Sequence, residues 1–179
     1  MLGTQQCNNV GQRLFVLVER TSRTYRYMEQ EQERRAQAED LATSPNTLAA
    51  LAGDKDAGVR LRVASNPFTL DKTFIQLAKD EDWHVRLEVA HNPATPPRTL
   101  AWLAKDDDEA VRQQVAENPS TLPKTLILLA EDENDAVRLE VAKNLHTPDD
   151  TLSNLAGDDK RYVRDAARRT VMRQRYPLR

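Results

Sequence analysis

Between positions 44 and 173 the apolar residues fall in two alternating short clusters, of the types Leu-x-x-Leu-Ala and Val-Arg-x-x-Val-Ala. Polar stretches carrying proline or acidic residues part them. Leucines three apart, and valines four apart, share one face of a helix, so the alternation predicts a pair of short helices in each unit. The first helix opens after a threonine followed within two residues by proline, as in Thr95-Pro96-Pro97 and Thr121-Leu122-Pro123. A threonine side-chain N-cap is expected there, followed by a proline whose φ is preset and which has no N–H to satisfy. Acidic clusters such as Lys105-Asp106-Asp107-Asp108 end this helix and are expected to cap the next. The second helix stops at Asn66-Pro67, Asn92-Pro93 and Asn118-Pro119, because proline pushes the residue before it out of the α region.

The clusters recur with a strict period. Val-Arg stands at 59, 85, 111, 137 and 163, always 26 residues apart, and Leu-Ala at 51, 77, 103, 129 and 155 keeps the same spacing. So do Thr47, Thr73, Thr99, Thr125 and Thr151, and Asp54, Asp80, Asp106, Asp132 and Asp158. A helix pair of this size cannot bury its few large apolar side chains alone, because each returns only about 1.5–3 kcal/mol against the entropy of ordering the chain. Stacking is therefore obligatory, and the expectation is an all-α fold, a right-handed α-solenoid of five helix-pair repeats with atypical ends. Leu77, Leu103, Val89 and Val115 should be buried. The organisation reads as a non-repeat segment at 1–27, a degenerate capping half-repeat at 28–43, five repeats at 44–173 and a basic tail at 174–179. At the C-terminal end the Val-Ala pair becomes Ala167-Arg168 and the Asn-Pro stop becomes Thr170-Val171.

The string Asn-Pro-x-Thr-x-x-x-Thr-Leu-x-x-Leu-Ala-x-Asp, followed by Val-Arg-x-x-Val-Ala-x-Asn, resembles the leucine-rich repeat variant family, a relative of the HEAT and armadillo solenoids. The resemblance spans residues 44–173 of the 179. It implies a helical solenoid and, by analogy with HEAT-type repeats, an Asp–Arg ladder tying neighbouring units together. A founding member carries an N-terminal cysteine-rich iron–sulfur module. Here Cys7 stands alone, so neither the cluster nor a redox role carries over, and no cofactor is expected.

Composition narrows the picture. Only 5 glycines and 5% aromatic residues argue against a broad β-sandwich core. No membrane span and no signal peptide is read from the chain, which points to a cytoplasmic protein with no membrane partner. The formal charge of −2 gives no global argument for nucleic acid, but it hides an acidic middle and a basic end. Lys160, Arg161, Arg168, Arg169, Arg173 and Arg175 are candidate contacts for nucleic acid or an acidic partner. The Arg60, Arg86, Arg112, Arg138 and Arg164 column is read as structural, neutralised by acids four and six positions earlier.

Columns that vary between units are free to specify a partner. His84, Glu88 and His91 share a helical stripe that could also form a two-histidine, one-carboxylate metal site, but neighbouring units carry Ala110, Gln114 and Glu117 there, so no metal is expected. His146 has no nucleophile near it in sequence, and there is no glycine-rich phosphate loop, so catalysis is not expected. Trp83 and Trp102 occupy positions that the repeat leaves free, and Trp102 with Leu128 of the next unit would make one apolar patch. The reading is a non-catalytic scaffold that binds a protein through Trp83, His84, Glu88, His91, Trp102, Gln114, Glu117, Leu128, Glu140 and Lys143, with Arg62 on the same stripe. Two other classes stay open: a nucleic-acid-binding solenoid using the basic end, and a HEAT-like metal- or base-modifying enzyme. The apolar run at 14–18 could serve self-association.

Overall fold

A computed structural model describes residues 25–176, and the run at 14–18 and Cys7 lie outside them. The described chain begins in a helix at residues 25–39, here α1. Five helix pairs follow: α2 (Pro45–Leu51) with α3 (Ala57–Ser65), α4 (Asp71–Leu77) with α5 (Trp83–His91), α6 (Pro97–Leu103) with α7 (Glu109–Glu117), α8 (Pro123–Leu129) with α9 (Asp135–Lys143), and α10 (Asp149–Leu155) with α11 (Arg161–Arg175). There is no strand among the described residues. Second helices stack on second helices, while the first helices of successive units meet only weakly, so the molecule is a two-row α-solenoid whose second-helix row is the tightly packed one.

The constant apolar columns form one continuous core. Leu77, Leu103, Val89 and Val115 are all buried, as are Leu48, Phe74, Leu100, Leu126 and Leu152 in the first-helix row. The Ala64, Ala90, Ala116 and Ala142 column is also fully buried, because the next second helix lies against it and leaves no room for a larger side chain.

The helix boundaries are made differently from the sequence expectation at one point. Four of the five second helices have a side-chain cap: the expected acids Asp56, Asp82 and Asp108, and Asn134 in their place before α9, accept from the N–H two residues on at 2.8–2.9 Å, whereas Lys160 heads α11 without one. Thr69, Thr95, Thr121 and Thr147 do not cap the first helices. Their buried hydroxyls instead donate backward at 2.6 Å to the carbonyls of Val63, Val89, Val115 and Val141, satisfying acceptors orphaned at the end of the preceding second helix. Leu70, Pro96, Leu122 and Pro148 occupy the N-cap position of α4, α6, α8 and α10 without a side-chain bond, whereas Ser44 caps α2 by accepting from the Thr47 N–H at 3.2 Å. Threonine at that place serves the C-terminal end of one helix rather than the start of the next.

Asparagine, not proline, breaks the second helices. Asn144 is followed by Leu145, yet its backbone is as extended (ψ 125°) as that of Asn66, Asn92 and Asn118 before their prolines. In each copy the side-chain oxygen accepts from the N–H two residues on. The amide nitrogen crosses to the preceding unit: Asn92 donates to the carbonyls of Ala64 (2.8 Å) and Asn66 (3.3 Å), and Asn118 to those of Ala90 (2.6 Å) and Asn92 (3.0 Å). At the C-terminal end Thr170 takes this column, and α11 runs on to Arg175. Gln174 reaches back to the carbonyls of Leu145 and Thr147.

Removing one rung of this ladder leaves buried carbonyls unpaired, at roughly 1–3 kcal/mol for each stranded group. Asn118→Ala should therefore lower the thermal midpoint clearly in a calorimetric or circular-dichroism melt, whereas Ile127→Ala, at a half-exposed position, should change it little. Equal effects from the two changes would show that the asparagine ladder carries no stability.

Candidate functional site: an exposed variable surface over a closed polar frame

The arginine column is part of the frame. Arg60, Arg86, Arg112 and Arg138 each grip a carboxylate of the following unit through two nitrogens, Nε at 2.7 Å and Nη2 at 2.8–3.2 Å, on Asp80, Asp106, Asp132 and Asp158. The two-point geometry is the strong form of the pair. Each Nη1 turns to the carbonyl six residues earlier, such as Asp80 O for Arg86 at 2.9 Å. The acids four positions earlier are the helix caps already described. The constant Asp thus acts twice, its side chain on the preceding unit's arginine and its carbonyl on its own. Arg34 of α1 starts the ladder on Asp54, and Arg35 holds Asp56 at 2.6 Å. The hydrogen bonds to these carboxylates hold the guanidinium groups of Arg60, Arg86, Arg112 and Arg138 above their ordinary pKa.

What remains outside is the variable set. Trp83 opens α5 and is 38% exposed, its ring stacked at 3.8 Å on the imidazole of His84. His84 Nδ1 lies 2.9 Å from Asp82 Oδ1. The carboxyl of Asp82 is held below the ordinary range, first by the His84 N–H and then by its ring. His91 and Glu117 are exposed and Glu88 is half-buried. Gln114 donates to Glu117 at 3.1 Å, and Lys143 pairs with Glu140 at 2.8 Å. Arg62 pairs with Glu39 of α1 at 3.2 Å. Among the described residues no three metal-capable side chains converge, so His84, Glu88 and His91 do not form a binding cluster with this geometry.

Trp102 and Leu128 lie in the other row. Both are about half exposed, at 50% and 48%, with Ile127 equally open beside Leu128. Trp102 walls a hollow of about 250 Å³ with Ile75, Ala78, Thr99 and the side chains of Lys79 and Arg98. The apolar partner across that hollow is Ile75 of the preceding unit, and Leu128 does not line it. A broader hollow of about 660 Å³ follows the loop edge between Pro93 and Pro123, with His146 at its rim.

At the basic end Lys160 pairs with Asp159 (3.2 Å) and Arg161 with Asp165 (3.6 Å). Arg168 touches the Ala156 carbonyl at 3.4 Å, and Arg169, Arg173 and Arg175 are exposed. Tyr162 of α11 donates to Asp135 of α9, a link across units that the sequence reading missed. Asparagine was also missed as a cross-unit donor, although its column was constant at the 26-residue period.

Among the described residues no helix is long and apolar enough to cross a membrane. Residues 83–108, one full period spanning α5 and α6, match the family model described as leucine rich repeat variant, in accord with the resemblance carried by the repeat. No curated protein matches the chain. A solved structure described as a leucine-rich repeat variant with a novel repetitive protein structural motif is similar at 24% identity and a TM-score of 0.39. That match covers 76% of this chain, which spans 64% of the length of that protein.

The frame's carboxylates set an acid limit. Asp56 is held low chiefly by Arg35; for Asp158 burial opposes the charge, but Arg138 and the Lys160 N–H outweigh it. Carboxyls depressed in the folded state contribute stability above the unfolded value of 3.8 and lose it as pH falls through the folded values. These groups should leave the melting temperature flat on the alkaline side of that value and lower it steeply below. An Asp56→Asn variant should show a shallower acid slope than the parent in the same series of melts.

Proposed function

We propose that this chain is a non-catalytic scaffold that binds a protein partner across the variable side chains of its second-helix row. The observation that carries the reading is the division of labour between columns. Arg60, Arg86, Arg112 and Arg138, the asparagine column and Thr69, Thr95, Thr121 and Thr147 are consumed by bonds inside and between units, and the other constant columns are buried, which leaves mainly the side chains that differ from unit to unit to meet another molecule. Because the second helices are the closely packed row, they form the inner side of any curve in the stack, a surface that can surround part of a partner.

Along that row polar and charged side chains are mixed: His84, Glu88 and His91 on α5, Gln114 and Glu117 on α7, the Glu140–Lys143 pair on α9. A mixed row of this kind suits one protein surface better than a uniform polyanion. Trp83 at the edge of the row supplies an aromatic anchor, and on the other row Trp102 with Ile75 offers a second apolar contact, with exposed Leu128 a separate one. The basic residues Lys160, Arg161, Arg168, Arg169, Arg173 and Arg175 are the competing nucleic-acid surface.

The test is quantitative capture. A partner recovered from the native host and identified by mass spectrometry is titrated against the chain and its variants. Reversing Glu88 and Glu117 together to lysine should weaken that binding by more than about tenfold, or 1.4 kcal/mol, with the melting temperature nearly unchanged. If binding survives that double change and disappears on neutralising Arg168, Arg169 and Arg173, the function lies at the basic end.

A further inference from the structure

Successive first helices touch only weakly, so a gap runs between each pair of them, and variable columns decide how that gap is filled. Between α2 and α4 it is bridged: Gln76 donates through Nε2 to the Ala52 carbonyl at 3.2 Å. Trp102 holds the same column one unit later, between α4 and α6. Its indole N–H makes no hydrogen bond among the described residues, and the gap stays open as the hollow of about 250 Å³ that Trp102 shares with Ile75 and Ala78.

Three variable columns coincide at this gap. Ile75 stands where the adjoining units carry Ala49 and Ala101, and Lys79 and Lys105 are the two lysines of a column that is otherwise Gly53, Glu131 and Gly157. Isoleucine recurs at Ile127, but there the tryptophan column holds Asn154 and the lysine column Glu131. Lys79 and Lys105 are exposed and have no ion-pair partner among the described residues, and the one ion pair of Arg98 is a long contact of 3.8 Å with Asp71, both exposed. Lys79 and Trp102 also line a second hollow of about 490 Å³, with Lys105 in its wall. Of the acids there, Asp80 and Asp106 are taken up by Arg60 and Arg86, which leaves Asp107.

We propose that the gap between α4 and α6 is a docking site for an acidic peptide segment of a partner protein, one bulky apolar side chain filling the hollow between Ile75 and Trp102 and carboxylates lying on Lys79 and Lys105. This rests on the reading of the chain as a protein-binding scaffold and gives the first-helix row a ligand of its own. The hollow is smaller than the roughly 300–1,000 Å³ of small-molecule sites and suits a single anchoring side chain. Two unpaired ammonium groups beside an aromatic ring complement carboxylates that flank an apolar residue. A polyanion of uniform charge would also have to pass Asp71 and Asp107, whereas a short segment need not.

Isothermal titration calorimetry of the full chain with a short peptide, one phenylalanine between two pairs of glutamates, tests the assignment. Binding should fall about tenfold, or 1.4 kcal/mol, in the Lys79→Gln, Lys105→Gln double variant. It should fall at least as far in Trp102→Gln, which installs the side chain that bridges the preceding gap. All three positions are exposed, so the melting temperature should hold. In a Trp83→Phe background Trp102 is the remaining one of the 2 tryptophans, and its emission should move to shorter wavelength on peptide addition. Peptide binding should be unchanged in the Glu88, Glu117 double reversal. If that reversal releases the captured partner while the peptide still binds, both readings stand; failure of the peptide alone strikes only this one. No peptide binding, an unmoved Trp102 emission, equal affinity for the peptide with serine for phenylalanine or glutamine for every glutamate, or tighter binding of an oligonucleotide of equal charge would each overturn the proposal.

Discussion

The carbonyls left open at the end of each second helix are the constraint on which this structure turns. The chain must leave that helix inside the stack, where water cannot reach the freed acceptors, and a buried unpaired carbonyl is costly. One is closed from within by a threonine hydroxyl, Thr95 on Val89 for example. Others are closed from outside by the asparagine of the next unit, as Asn118 closes Ala90 and Asn92. A unit of this protein is therefore incomplete in its hydrogen bonding as well as in its core until its neighbour is in place.

The opposite end of each second helix is tied by the arginine fork. Together the two ladders fix the register of neighbouring units at both ends of the second helix, with the valine and alanine columns closing the space between. This explains why the second-helix row is tightly packed while the first helices touch only weakly. It also explains why substitution is confined to particular columns: any position that meets the neighbouring unit is held by volume or by a directed bond, and the remaining positions face outward.

That separation gives the functional reading its basis. The constant arginines and asparagines that look like candidate chemistry when counted along the chain are bonded within and between units, and the proposed recognition surface is made of the residues that differ.

The period, the helix pairing, the buried leucine and valine columns and the acidic caps of the second helices were legible in the sequence, because each depends on spacing within one helix or its own turn. The existence of an Asp–Arg ladder was legible as well, since both columns are constant. Its connectivity was not: the acids near each arginine in sequence, such as Asp82 for Arg86, are caps, and the partner, Asp106, stands 20 residues ahead. Threonine beside proline reads locally as an N-cap, and asparagine before proline reads as a stop. Only the packed stack brings Thr95 under the Val89 carbonyl and Asn118 across to Ala90, because those acceptors become buried, and so in need of a partner, when the next unit covers them. For the same reason the sequence could name Trp83 and Trp102 as free of the repeat but paired Trp102 with Leu128, where the stack sets it against Ile75. Which face a variable residue shares is set by how units stack, and that is a property of the assembled solenoid rather than of any one repeat.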